Sequence, residues 1–145
     1  MSEEKFMRRA IELAREAVER GDNPFGSVLV HDDEIVMEDS NRVITEKDIR
    51  HHPELNLAHL AVRDLEPEIR AKTTMYTSTE PCPMCAGGMA YAKLERVVYA
   101  TSGPEIAEFT GTESSARASE ILEGVTDVEG PLCNEEALAL HEAVW

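Results

Sequence analysis

Apolar residues at Phe6, Ala10, Ile11, Leu13, Ala14, Ala17 and Val18 recur at the spacing of one helix face and predict a helix over 5–20. Gly21-Asp22-Asn23-Pro24 ends it. Residues 25–31 contain the block Val28-Leu29-Val30, which suits a buried strand, and Asp32-Asp33 turns the chain into a hairpin partner over 34–39. A polar stretch runs from Asn41 to His52. Pro53 fits the first position of a helix, where its missing N–H costs nothing. Leu57, Leu60, Ala61 and Leu65 form the inner face of that helix. A β-rich segment follows over 73–78, and Pro83 opens a helix to Ala92 in which Gly87-Gly88 allows close packing. The pattern then predicts a strand over 96–100, a helix over 114–122, a strand over 125–129 and a terminal helix over 135–145. This order, α-β-β-α-β-α-β-α-β-α, predicts an α/β fold: a three-layer α-β-α sandwich around a mixed five-stranded sheet.

With 145 residues the chain is most simply one domain, 1–145, large enough to bury a core without disulfides. Its three cysteines are an odd number and two of them stand in C-x-x-C, which argues against a disulfide framework. Cys133 reads as a small apolar filler. No apolar run approaches the roughly 20 residues of a membrane span, and Met1-Ser2-Glu3-Glu4-Lys5 lacks an export pattern, so a cytoplasmic protein is expected. Twenty-nine acidic residues against fourteen basic ones give a net charge of −15. A field of that sign repels polyanions, which argues against a nucleic-acid partner.

Two short segments carry the chemistry: His52-Pro53-Glu54, and Pro81-Cys82-Pro83-Met84-Cys85. One imidazole and two thiolates suit Zn2+, and three protein ligands leave a fourth tetrahedral position open, as catalytic zinc sites do. Both segments fall at predicted helix starts, where an anion is favoured and thiolate formation is assisted. Glu54, beside His52, is placed to carry a proton. Other readings of these residues stay open at this point. Cys82 and Cys85 could be a redox pair; His51, His59 or Cys133 could complete a purely structural zinc site; Glu54 could be an ordinary first-turn acid.

The pattern H-x-E…P-C-x-x-C is that of the zinc nucleobase deaminases, and the chain resembles the cytidine deaminase superfamily of zinc hydrolases. Thr79-Glu80-Pro81-Cys82-Pro83-Met84-Cys85-Ala86 is similar to the branch that holds guanine deaminases, fungal-type cytosine deaminases and tRNA adenosine deaminases. Asn23-Pro24-Phe25-Gly26-Ser27-Val28 resembles the guanine deaminase form of the first strand. The resemblance covers roughly residues 5–105. It implies His52, Cys82 and Cys85 as zinc ligands, Glu54 as proton shuttle and Asn41 as a hydrogen-bonding partner of the base. It also implies Phe25 as a pocket wall and Trp145 as a C-terminal cover. Plainer roles remain open for the last three: a strand-end turn for Asn41, core packing for Phe25 and a packed terminus for Trp145.

Pro53 departs from the family, whose middle residue is usually alanine or glycine with an N–H for the base; proline has none. The helix after Glu54 also departs from the usual apolar-rich pattern, with His59 facing elsewhere. The expected activity is hydrolytic deamination of a free nucleobase or nucleoside, guanine first and cytosine second, by a homodimer or larger assembly. A tRNA adenosine deaminase and a non-catalytic zinc-stabilised module are the alternatives.

Overall fold

A computed structural model describes residues 3–145. The first helix, α1 (Glu4–Arg20), buries the expected stripe and closes on Gly21. The strands β1 (Gly26–His31) and β2 (Glu34–Ser40) form the expected hairpin. Its two loop residues, Asp32 and Asp33, have φ of 51° and 62°. Two successive positive φ values give the loop a twist that matches the strands, and aspartate tolerates the conformation better than most residues. Gly26 begins β1 where a side chain would strike the backbone of α1 at Ala10 and Ala14, so the strand rests directly on the helix.

A single turn, α2 (Val43–Glu46), interrupts the polar stretch before α3 (Pro53–Asp64) and the short α4 (Pro67–Arg70). Then come β3 (Thr74–Thr79), α5 (Pro83–Ala92) and β4 (Arg96–Thr101). The sheet order is β2-β1-β3-β4, completed at the far edge by β5 (Asp127–Glu129). β1 runs antiparallel to both its neighbours, while β3, β4 and β5 are parallel.

Both faces of this sheet are covered. Val28, Val30, Tyr76, Val98 and Ala100 face a core shared with α1 and with the terminal helix α8 (Asn134–Val144). Leu29, Met75 and Val97 point the other way, against Leu57 and Ala61 of α3 and Met89 of α5. That two-sided burial explains the unbroken apolar runs of β1 and β4, which would alternate if one face met water. Each such side chain contributes about 1.5–3 kcal/mol on leaving water. Among the described residues no helix is long and apolar enough to cross a membrane.

One expected element is different. The helix expected over 114–122 is only the single turn α7 (Ala118–Ile121), and the main helix of this region lies earlier, as α6 (Gly103–Thr110). Ser102 caps α6: its Oγ accepts the Glu105 N–H, and the Glu105 carboxylate accepts the Ser102 N–H. Such reciprocal caps satisfy two amide groups that a helix start otherwise leaves bare. Gly111, at φ 75°, ends the helix.

The topology gathers several chain turns at one rim. β3 and β4 end there, and β1 begins there, its Gly26 N–H donating to Ser78 Oγ at 3.1 Å. β2 also finishes there, Ser40 pairing with Gly26. Ligands of open α/β sheets bind beyond the carboxyl ends of the strands, which is this rim.

Candidate active site

His52 and Cys82 are the residues immediately before α3 and α5, and Pro53 and Pro83 occupy the first helical positions. Packing of α3 against α5 brings those two starts together. His52 Nδ1 lies 3.7 Å from Cys82 Sγ and 3.5 Å from Cys85 Sγ, and the two sulfurs are 3.6 Å apart. A tetrahedral zinc with ordinary bond lengths needs N···S edges of about 3.6 Å and an S···S edge of about 3.8 Å. The three donors therefore fit the ion without rearrangement.

Among the described residues no fourth metal-binding side chain joins this group. The three alternatives raised by the sequence are all elsewhere. His51 binds Glu46 through Nδ1 at 2.9 Å, and its Nε2 sits 3.2 Å from Asp39 Oδ2, off the hydrogen-bonding direction. His59 is exposed. Cys133 packs against the core under α1 and α8. Among the described residues the site thus has three protein donors, the number that leaves a tetrahedral zinc one open position.

Charge is distributed unequally over the centre. In the metal-free chain the hydrogen bond with Cys85 and the neighbouring His52 pull the Cys82 thiol down to about 4. Sharing with Cys82, together with burial, pushes Cys85 up. Glu54, the second residue of α3, is buried, and loss of solvent, reinforced by the Cys82 negative charge, raises its carboxyl to about 7. A carboxyl poised there can both take and give a proton near neutral pH.

His52, Glu54 and Cys82 lie at the base of a cavity of about 300 Å3, which is also lined by Phe25, Thr79 and Glu80 and walled on its outer side by residues 103–117. Phe25, expected as a wall, is there. Asn41 and Trp145, expected against the base, are not among the lining residues. Asn41 is buried at the end of β2, where its Oδ1 accepts the Val43 N–H at 3.0 Å and its own N–H donates to the Phe25 carbonyl at 2.9 Å. Trp145 bonds back to its own helix.

The profile of the cytidine and deoxycytidylate deaminase zinc-binding region matches residues 1–101, which include all three metal-site residues and Glu54. The chain belongs to this deaminase family. A guanine deaminase of Bacillus subtilis (strain 168) is 38% identical over 109 residues, covering 74% of this chain and 70% of its own. A probable cytosine deaminase of Schizosaccharomyces pombe is 30% identical over 152 residues, covering 97% and 90%. A solved tRNA:A34 deaminase superposes with a TM-score of 0.72 at 28% identity, over 94% of this chain and 98% of that one. Three substrate types thus stand at similar distances, and the deaminase family is established ahead of the substrate.

Zinc is the cofactor of this family's domain, and His52, Cys82 and Cys85 are positioned to hold it. What zinc supplies when bound is Lewis acidity, enough to make water nucleophilic near neutral pH. The outer wall, and Glu80 that bonds both its ends, lie outside what the sequence predicts. The wall had a legible signal: Ser102-Gly103-Pro104-Glu105 is an S-x-x-E cap with an early proline. Glu80 had none beyond its place in the cysteine segment.

Proposed function

We propose that the protein catalyses hydrolytic deamination of a free nucleobase or nucleoside, guanine foremost, with release of ammonia. The observation that carries this reading is the buried Glu54 carboxyl at the base of a small cavity, beside a three-ligand metal site. In this reading His52, Cys82 and Cys85 hold the zinc. Glu54 takes a proton from the attacking water and gives it to the ring nitrogen, then takes the second proton from the hydroxyl newly bound to carbon and gives it to the departing amine. Phe25 forms an apolar wall for the ring, and Asn41 acts by fixing Phe25 and α2.

Charge supports a small substrate over RNA. Among the described residues Arg117 is the one lysine or arginine that lines the cavity, and its guanidinium is occupied by Glu80, while Glu54, Glu80 and Glu113 make the lining acidic. A polynucleotide needs free cations near its phosphates. Resemblance of Asn23-Pro24-Phe25-Gly26 to guanine deaminases, with a guanine deaminase at 38% identity, tilts the choice toward guanine. We assign a homodimer to the exposed apolar residues Val62 of α3 and Met84 and Tyr91 of α5.

The test is ammonia release by zinc-loaded protein from guanine, guanosine, cytosine, cytidine, adenine and adenosine. Release from one of these, reduced about 100-fold or more in Glu54→Gln with zinc retained, supports the reading. Silence across the panel from folded, zinc-containing protein overturns it.

A further inference from the structure

The outer wall of the cavity is one continuous stretch of chain, from Gly103 through Ile106 and Glu113 to Arg117. Both ends of that stretch meet a single side chain. Glu80 Oε1 accepts the Gly103 N–H at 2.9 Å, and its Oε2 accepts the Ala118 N–H at 2.9 Å. Arg117 Nε donates to the two oxygens at 3.0 and 2.9 Å, and Arg117 Nη2 lies 2.9 Å from Oε1. The Glu80 side chain is 3% exposed.

Few other polar ties hold this wall. α6 has a second anchor, because Asn134 donates to the Glu105 carboxylate at 3.1 and 3.2 Å. Between α6 and Arg117 the hydrogen bonds are local, Gly111 to Ala107 and Thr112 to Thr110. The far end of the wall is held by Glu80, by a contact of Arg117 with Tyr99 and by the packing of Ala118 and Leu122 in the core.

Burying a carboxylate is costly unless its lone pairs are filled, and an apolar side chain would close the same gap at less cost. What an apolar residue could not do is bind two distant amides and a guanidinium at once. Glu80 also stands two residues before Cys82, at the rim that carries the metal site. Wall and metal site are therefore tied through one short segment.

We infer that Glu80 is a positioning residue for the substrate. It holds residues 103–117 as a preformed wall opposite the His52–Cys82–Cys85 centre, and Arg117 acts through it rather than on the base. This inference rests on the deaminase reading above. A wall held in place in advance spares the substrate the cost of ordering it, so losing the clamp weakens binding and leaves the chemical step intact.

The first arm of the test needs no substrate. Glu80→Gln keeps the volume but presents an amide to Arg117. Hydrogen exchange of peptides spanning 103–118 should quicken about tenfold, with α3 and α5 unchanged and one zinc per chain retained. Arg117→Gln, at a half-exposed position, should quicken the same peptides and covers the case in which Glu80→Gln fails to fold. In the second arm, on whichever base the wild type deaminates, each variant should raise KM about tenfold with kcat within about threefold. The double variant should be no worse than the single ones, and Glu80→Asp should recover part of the loss. Unchanged exchange, faster exchange across the whole chain, loss of zinc, or a fall in kcat at constant KM each overturns the inference. A wild type that is folded, zinc-loaded and silent on every base defeats the deaminase reading instead, while the exchange arm still reports on the wall.

Discussion

The indole N–H of Trp145 donates to Nδ1 of His141, one turn back along α8, at 3.0 Å. An indole nitrogen can only donate, so Nδ1 must accept, and the ring is neutral with its proton on Nε2. That nitrogen lies 3.5 Å from Thr79 Oγ1, on the cavity lining. The rings of Phe25 and Phe109 flank the imidazole at 6.0 and 5.8 Å. Trp145 thus props the site from behind, through a histidine that must stay uncharged.

Burial pushes His141 down from 6.5 to about 4. Between those values the unfolded chain takes up a proton that the folded ring refuses. The stability from the neutral ring is complete above pH 6.5 and is lost as pH falls through about 4, in total on the order of 3 kcal/mol. Tm should fall over this window. Trp145 is the chain's one tryptophan, so its fluorescence should shift with Tm, and His141→Gln should remove this part of the pH dependence.

Metal-free protein should expose an acidic thiol. Cys82 sits at about 4 and Cys133 is raised by burial, so at pH 6 Cys82 is thiolate and Cys133 is not. A low-pKa thiolate is intrinsically less nucleophilic, yet Cys82 should still alkylate about tenfold faster. Mass spectrometry after iodoacetamide treatment reads the ratio, and added zinc should abolish the Cys82 reaction.

The two adjacent glycines of α5 should respond oppositely to alanine. A Cβ on Gly87 meets nothing within 4 Å, so Gly87→Ala should stabilise by about 0.5–1 kcal/mol through helix propensity alone. A Cβ on Gly88 strikes Leu55 Cδ1, so Gly88→Ala must displace that side chain between α3 and α5 and should cost about 1 kcal/mol or more. Thermal unfolding of the two variants checks the difference in sign.

Tyr91 is 81% exposed on α5. If its face joins two copies, sedimentation should show a dimer that Tyr91→Glu converts to a folded monomer, with a Tm that no longer rises with protein concentration. At a net charge of −15 per chain, added salt should strengthen the association by screening.

Much of this structure is local and was legible for that reason. The stripe of α1 needs only a 3.6-residue period, and Asp32-Asp33 needs only two residues that accept a positive φ. Pro53 and Pro83 announce helix starts because proline loses nothing there. The ligand set was readable because its spacing places one histidine and two cysteines at the starts of two helices. Residues 114–122 misled because an acidic and apolar pattern can look helical even where Ser114 to Arg117 forms loop.

What the sequence determined by itself is the set of metal donors, the succession of the five strands and the two-sided burial of the sheet. These follow from residue types and periods within single segments. The tertiary structure alone decided three further points. Among the described residues no fourth ligand reaches the metal site, because His51, His59 and Cys133 are carried elsewhere by their elements. Trp145 turns back to bond His141 of its own helix. Glu80 joins two amides and a guanidinium that lie 23 to 38 residues further along the chain. Each of these depends on which surfaces of distant elements meet, and no local spacing encodes that meeting.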